Sequence, residues 1–333
     1  MNPAFSVIVF TTLSGAGYGM WCWLALRLAL GGVTRADAGV WLAGLLLGGV
    51  LVTAGLLSSL GHLGKPRRAW RAFSQWRTSW LSREGVAAVL TFVPASLLLA
   101  LLGARHLDLG GHGLGYLPAG WWTLAASLLA VGSLVTVACT AMIYASLKPI
   151  PAWCQPLVLP GYLGFALFTG GVLDQAVLAL SGRTVPGTWA MLAMAAALVL
   201  LKLGYWRAID TTPLPVSRGD ALGLPTRETS VFERPHTEAN YITREMGYVL
   251  ARKHARALRG CALTLFGAVP MLCLSLGVVW ASAVPALLLL ATLSALLGTA
   301  VERWLFFAEA EHVVGLAAHA RRQQRPARGV GED

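Results

Sequence analysis

Two side chains in this sequence are well placed to handle protons. His62 and Glu84 bracket the stretch GHLGKPRRAWRAFSQWRTSWLSREG, Gly61 to Gly85. His62 closes one apolar run and Glu84 opens the next, so an antiparallel hairpin returns both to the same interface. A neutral imidazole and a carboxylate suit the uptake of the two protons released when a hydroquinone is oxidised, or their delivery in the reverse direction. The structural alternative is that both groups snorkel to an interface or cap helix ends. Between them lie Lys65, Arg67, Arg68, Arg71, Arg77 and Arg83, interleaved with Trp70, Trp76 and Trp80. Such a belt anchors lipid headgroups or receives an acidic partner.

Other polar groups carry two readings each. Glu302 and Arg303, in ERWLFFAEAEHVVGL, fall within about two turns of the end of the last apolar run. They are expected to form an intramembrane ion pair, internally or through neighbouring helices, with structural and catalytic roles both open. Asp174 looks more isolated, and is either a proton-path group or a carboxylate capped near the interface. In PHTEANYITREMGYVLARKHARALRG, Ile242, Met246, Val249 and Leu250 share one helical face, while Arg252, Lys253, Arg256 and Arg259 form a basic approach to the next apolar run. That segment either lies on lipid or docks a peripheral subunit.

A b-type haem needs two histidines facing each other at mid-membrane. His106 and His112 fall in an outer loop, His236 and His254 in the long polar loop, His319 in the tail, and His62 and His312 close to span ends. No haem is therefore expected. The five cysteines include no close pair such as C-x-x-C, so neither zinc nor an iron-sulfur cluster is expected in this chain.

The elements that must position these groups follow from composition. Only 12% of the 333 residues are charged and 56% are apolar, with mean hydropathy +0.64; soluble chains carry roughly 25% charged residues. The apolar residues gather in blocks long enough to span a bilayer as helices, which satisfy their own backbone hydrogen bonds. The net charge of +11 sits between these blocks rather than on a continuous face, which argues against nucleic acid as a partner. Met1 to Leu26 contains no Lys or Arg, so the basic start of a secretory signal is missing and the first run is read as a retained span.

Eight spans are predicted: Phe5 to Leu30, Ala38 to Gly61, Gly85 to Ala104, Ala119 to Leu147, Cys154 to Leu180, Gly187 to Arg207, Gly260 to Ala281 and Ala283 to Ala308. The last two are divided at Ser282 to Pro285, because one span needs only about 20 residues. The expected fold class is an all-α integral membrane bundle, one domain over 1–333, with an extended loop over 208–259 and a basic tail over 309–333. With eight spans, 21 Lys and Arg fall on the side of the termini and the even-numbered loops; only Arg27, Arg35, Arg105 and Arg183 fall opposite. The positive-inside rule then places both termini in the cytoplasm. Ser14, Gly15, Gly17 and Gly19 suit close helix-helix approach.

Five segments carry a resemblance: PAFSVIVFTTLSGAGYG, HLGKPRRAW, SWLSREG, PHTEANYITREMGYVLARKHARALR and ERWLFFAEAEH. In that order along eight spans, the sequence resembles the membrane-anchor subunits of the dimethyl sulfoxide reductase family of molybdoenzymes, including the anchors of related sulfite dehydrogenases. The resemblance implies a bacterial inner membrane protein that binds a quinone, menaquinone or ubiquinone, and exchanges electrons with a ferredoxin-like iron-sulfur subunit wired to a molybdopterin catalytic subunit. It also links His62 and Glu84 to quinol binding. The extended loop and Arg-rich tail depart from the shorter anchors.

Because His62, Glu84, the long basic loop, Glu302 and Arg303 gather on the predicted cytoplasmic side, the expected complex faces the cytoplasm. That arrangement is closer to sulfite oxidation with quinone reduction than to an exported sulfoxide reductase. The rival from another class is a secondary transporter with Asp174, Glu302 and Arg303 on its substrate path. A third reading is a purely structural tether without a quinone site.

Overall fold

The computed structural model describes residues 4–31, 34–62, 65–107, 117–211 and 254–310. Eight helices within it are long and apolar enough to cross a membrane. They are α1 (Phe5–Gly31), α2 (Arg35–Ser59), α3 (Trp80–Leu107), α4 (Ala119–Ala145), α5 (Val158–Leu180), α6 (Thr188–Thr211), α7 (Ala255–Val279) and α8 (Val284–Ala308). The chain is an all-α, multi-pass membrane bundle. A short 3₁₀ turn at Ala281–Ala283 separates α7 from α8, overlapping the Ser282 to Pro285 division expected from the sequence. Much of the predicted loop over 208–259 lies outside the described residues, but its two edges are helical: α6 runs on to Thr211, and α7 starts at Ala255. Arg252, Lys253, the 242–250 face and the tail beyond 310 also lie outside them.

At the heart of the bundle is α1, with 72% of its apolar window buried against 28% in α2 and in α6. It is the least hydropathic of the eight spans, because Thr11, Thr12, Ser14 and its glycines interrupt the run. Those residues face protein. Thr11 and Ser14 return their hydroxyls to their own helix, at Val7 O (2.9 Å) and Phe10 O (2.6 Å), the usual way to satisfy a hydroxyl in an apolar setting.

Small residues set the spacing around α1. A Cβ on Gly19 would strike the Ala166 carbonyl of α5, and one on Gly170 of α5 would strike the Met20 amide, so the two backbones touch. On the α2 side, a Cβ at Gly17 would fall 2.6 Å from Gly48 O. Large apolar side chains point the other way: Val50, Leu57, Val93, Leu128, Leu200 and Leu297 are exposed on the outer surface, where lipid is as apolar a neighbour as protein.

Helix α7 is not regular. Thr264–Ala268 forms a π turn just before Pro270. Proline offers no amide and its ring clashes with the carbonyl four residues back in a regular helix; a widened turn relieves both. Ser294 of α8 donates to Leu265 O at 2.7 Å, and Gly298 lets α8 reach the Leu265–Phe266 backbone there.

Candidate functional site

Helix α3 begins earlier than the sequence indicated. Its first turn is strapped to a 3₁₀ segment, Pro66–Gln75, that follows the short turn Leu60–His62 at the end of α2. Ser82 Oγ donates to Ala72 O. Arg83 donates to Trp76 O (3.1 Å) and Arg77 O (2.7 Å), and its guanidinium stacks over Trp80 at 4.3 Å. Phe73 packs against Gly85, where a Cβ would come within 3.1 Å of the ring. These ties extend α3 back to Trp80, so Glu84 sits in its second turn instead of opening the span.

That register decides which way Glu84 faces. Glu84, Ala88, Thr91, Ala95, Leu98 and Leu102 form the buried stripe of α3, at the three- and four-residue spacing of one helical face. Glu84 is only 5% exposed, and Thr140 of α4 donates its hydroxyl to Oε1. One and two turns further in, Thr136 donates to Gly132 O at 2.8 Å, and its hydroxyl meets that of Thr91 at 3.3 Å. A short ladder of threonines therefore runs between α3 and α4 below the carboxylate. Thr140 also lines a small cavity of about 10 Å³ with Thr12, Tyr162, Thr169, Thr299 and Arg303, room for about one water. The carboxylate is thus turned to the polar interior of the bundle.

The turn that His62 closes and the first turns of α3 lie at the same end of the bundle, where Ser58 of α2 also donates to Ser6 O of α1 at 2.9 Å. The cations between them stay at or near the surface: Lys65, Arg67, Arg68, Arg71 and Arg77 are exposed, and Arg83 is half-buried. Arg71 lies over Trp70 at 5.7 Å and Arg77 over Trp76 at 5.6 Å, and both indoles are exposed. Tryptophan-backed arginines are chemically suited to the headgroup layer.

The second polar centre joins α6 and α8. Glu302 accepts from Lys202 Nζ at 2.7 Å and lies 3.5 Å from Arg303 Nη1. Arg303 covers the Tyr162 ring at 3.6 Å, and Lys202 the Tyr205 ring at 3.8 Å. All three charges are buried. Lys202 was not singled out in the sequence analysis; its signal was a lone lysine in the apolar run LVLLKLGYW. Nearer the end of the bundle, Arg259 of α7 bridges Asp210 of α6 (2.6 Å) and Glu309 after α8 (2.8 Å). Burial lifts the Glu309 carboxyl above the ordinary carboxylate range, with Arg259 opposing the shift.

At the opposite end Asp174 is not isolated: it accepts from Arg27 of α1 at 2.6 and 2.9 Å. Arg183 pairs there with Asp37 at 2.7 Å. Arg27 and Asp174 lie 147 positions apart, which is why their partnership is invisible along the chain.

Compared with known families, residues 1–308 match the model described as DMSO reductase anchor subunit (DmsC). The chain is also similar to a protein of Allochromatium vinosum named as a subunit of sulfite dehydrogenase, with 34% identity over 325 residues, covering 94% of this chain and 97% of that protein.

Proposed function

Because the chain belongs to the DMSO reductase anchor subunit family, and is thus a multi-pass membrane anchor subunit of a molybdoenzyme, we propose that it exchanges electrons between a membrane quinone and an iron-sulfur subunit at the end bearing His62 and Glu84. The observation that carries this reading is the seat of Glu84: a carboxylate buried one turn inside α3, held by Thr140, on the helix that follows the turn His62 closes. Burying such a group in a membrane protein is costly, and a function is the usual reason it is kept.

In the quinone-reducing direction two electrons arrive from the iron-sulfur subunit and two protons must reach the ring oxygens. His62 supplies one and Glu84 the other, and both are then replenished from water. In the reverse direction the same groups accept the two protons while the electrons leave. Sulfur chemistry belongs to a molybdopterin catalytic subunit, reached through a ferredoxin-like iron-sulfur subunit docked at this end. The lopsided distribution of Lys and Arg supports placing this end, and both termini, in the cytoplasm of a bacterial inner membrane. A cytoplasm-facing anchor suits coupling quinone reduction to sulfite oxidation; its relative in Allochromatium vinosum is named as a subunit of a sulfite dehydrogenase.

The pairing of Asp174 with Arg27 and of Glu302 with Lys202 supports structural roles for the groups a transporter would place on its path. Replacing His62→Ala tests the proposal. Quinone-dependent electron transfer is expected to fall at least about 10²-fold, the scale of general acid-base catalysis, in a complex that still assembles. Unaltered turnover removes His62 from the mechanism.

A further inference from the structure

A groove of about 460 Å³ runs between α2 and α3 on the lipid-facing side of the bundle. Its floor is Trp21 of α1, fixed by an indole hydrogen bond to Leu45 O at 3.0 Å. The groove exists because Gly49 and Ala54 on α2, and Ala95 and Ser96 on α3, are too small to close the seam. Its outer wall includes the exposed side chains of Val50 and Leu57. From Leu46 to Leu57 it follows α2 for about 16 Å of helical rise.

The direction of the groove identifies its occupant. Leu57 lies five residues before His62, and Phe92, on the opposite wall, lies about two turns along α3 from Glu84. A chain lying in the groove therefore emerges at the end of the bundle that carries both groups. We infer that this α2–α3 groove holds the isoprenoid tail of the quinone, with the ring beyond Leu57 beside His62 and Glu84. The inference rests on the quinone reading and adds to it the place where the tail of its substrate lies.

Membrane lipid is as apolar as the groove, so the tail gains little from leaving bulk lipid as such; it gains shape complementarity and dispersion against Trp21 and the small residues. The groove accordingly aligns a tail and discriminates by its length. A phospholipid acyl chain shares the apolar chemistry but brings no ring to His62, and it is the alternative outcome of the test.

The test compares kcat/KM for a long polyprenyl quinone and for a tail-less analogue, using the whole complex in proteoliposomes. Ala54→Phe fills the groove from α2 and Ser96→Phe from α3, both with apolar side chains at exposed positions. Each is expected to lower the long-tail to tail-less ratio about tenfold, which corresponds to 1.4 kcal/mol. Leu128→Phe, on the exposed face of α4 away from the groove, leaves the ratio unchanged. A ratio that stays at the wild-type value in both groove variants overturns the inference and marks the groove as a lipid crevice. His62→Ala separates the two levels: if it abolishes turnover of both quinones while the groove variants keep the wild-type ratio, the ring site stands and only the tail site falls.

Discussion

Glu84 condenses the chemistry of this chain into one carboxylate. Its residue type and place after an apolar hairpin were readable from the sequence, and so was the proximity of that hairpin to His62. Its partner was not, because Thr140 lies 56 positions away on α4 and looks like any other threonine in an apolar run. The hydroxyl does more than fill space. It satisfies one oxygen of a buried acid, and without it that oxygen has lost its donor. Thr140→Val keeps the shape and removes the hydrogen bond. It is expected to destabilise the chain by about 1–3 kcal/mol, the cost of orphaning a buried polar group, read as lower thermal stability of the purified complex. Quinone turnover is expected to fall in the same variant, since the acid loses its fixed orientation; stability and turnover both at wild-type values would show that Glu84 does not depend on Thr140.

Among the elements, α1 and α7 show how local composition becomes architecture. The hydroxyls and glycines of α1 lower its hydropathy, and that same feature sends it to the centre, because the groups least suited to lipid are the ones protein must cover. Close approach at Gly17 and Gly19 could be anticipated from the small-residue pattern; that Gly19 would meet Gly170 and Ala166 of α5, and not another helix, could not. Gly170→Val is expected to force α1 and α5 apart at a cost of at least roughly 1–3 kcal/mol, the range for overpacked cores. Gly103→Val, where an added Cβ meets nothing within 4 Å, serves as the neutral control, and equal denaturation midpoints for the two variants would contradict the tight crossing. In α7, Pro270 is incompatible with a regular helical turn, and the π turn that absorbs it is seated against Ser294 and Gly298 of α8.

At the scale of the molecule, ion pairs, some fully buried and some half-buried, tie helices that the chain keeps far apart. Lys202 with Glu302 joins α6 to α8, Arg27 with Asp174 joins α1 to α5, and Arg259 gathers the ends of α6, α7 and α8. A buried pair contributes little net stability, yet breaking it strands a charge. Lys202→Met alone is expected to cost about 3–5 kcal/mol, whereas Lys202→Met with Glu302→Gln removes both charges and recovers most of that loss. A double variant as unstable as the single one, in detergent unfolding, would mean that packing rather than charge holds this junction.

Sequence alone determined the membrane class, the eight spans and the family, because hydropathy and motif order are properties of the chain read in one direction. It also singled out His62 and Glu84, since polar groups at span ends stand out against an apolar background. Only the tertiary structure decided where Glu84 points, which helix lies at the centre and which acid each buried cation meets. Those outcomes depend on helical register and on contacts between residues tens to hundreds of positions apart, and no local pattern encodes them.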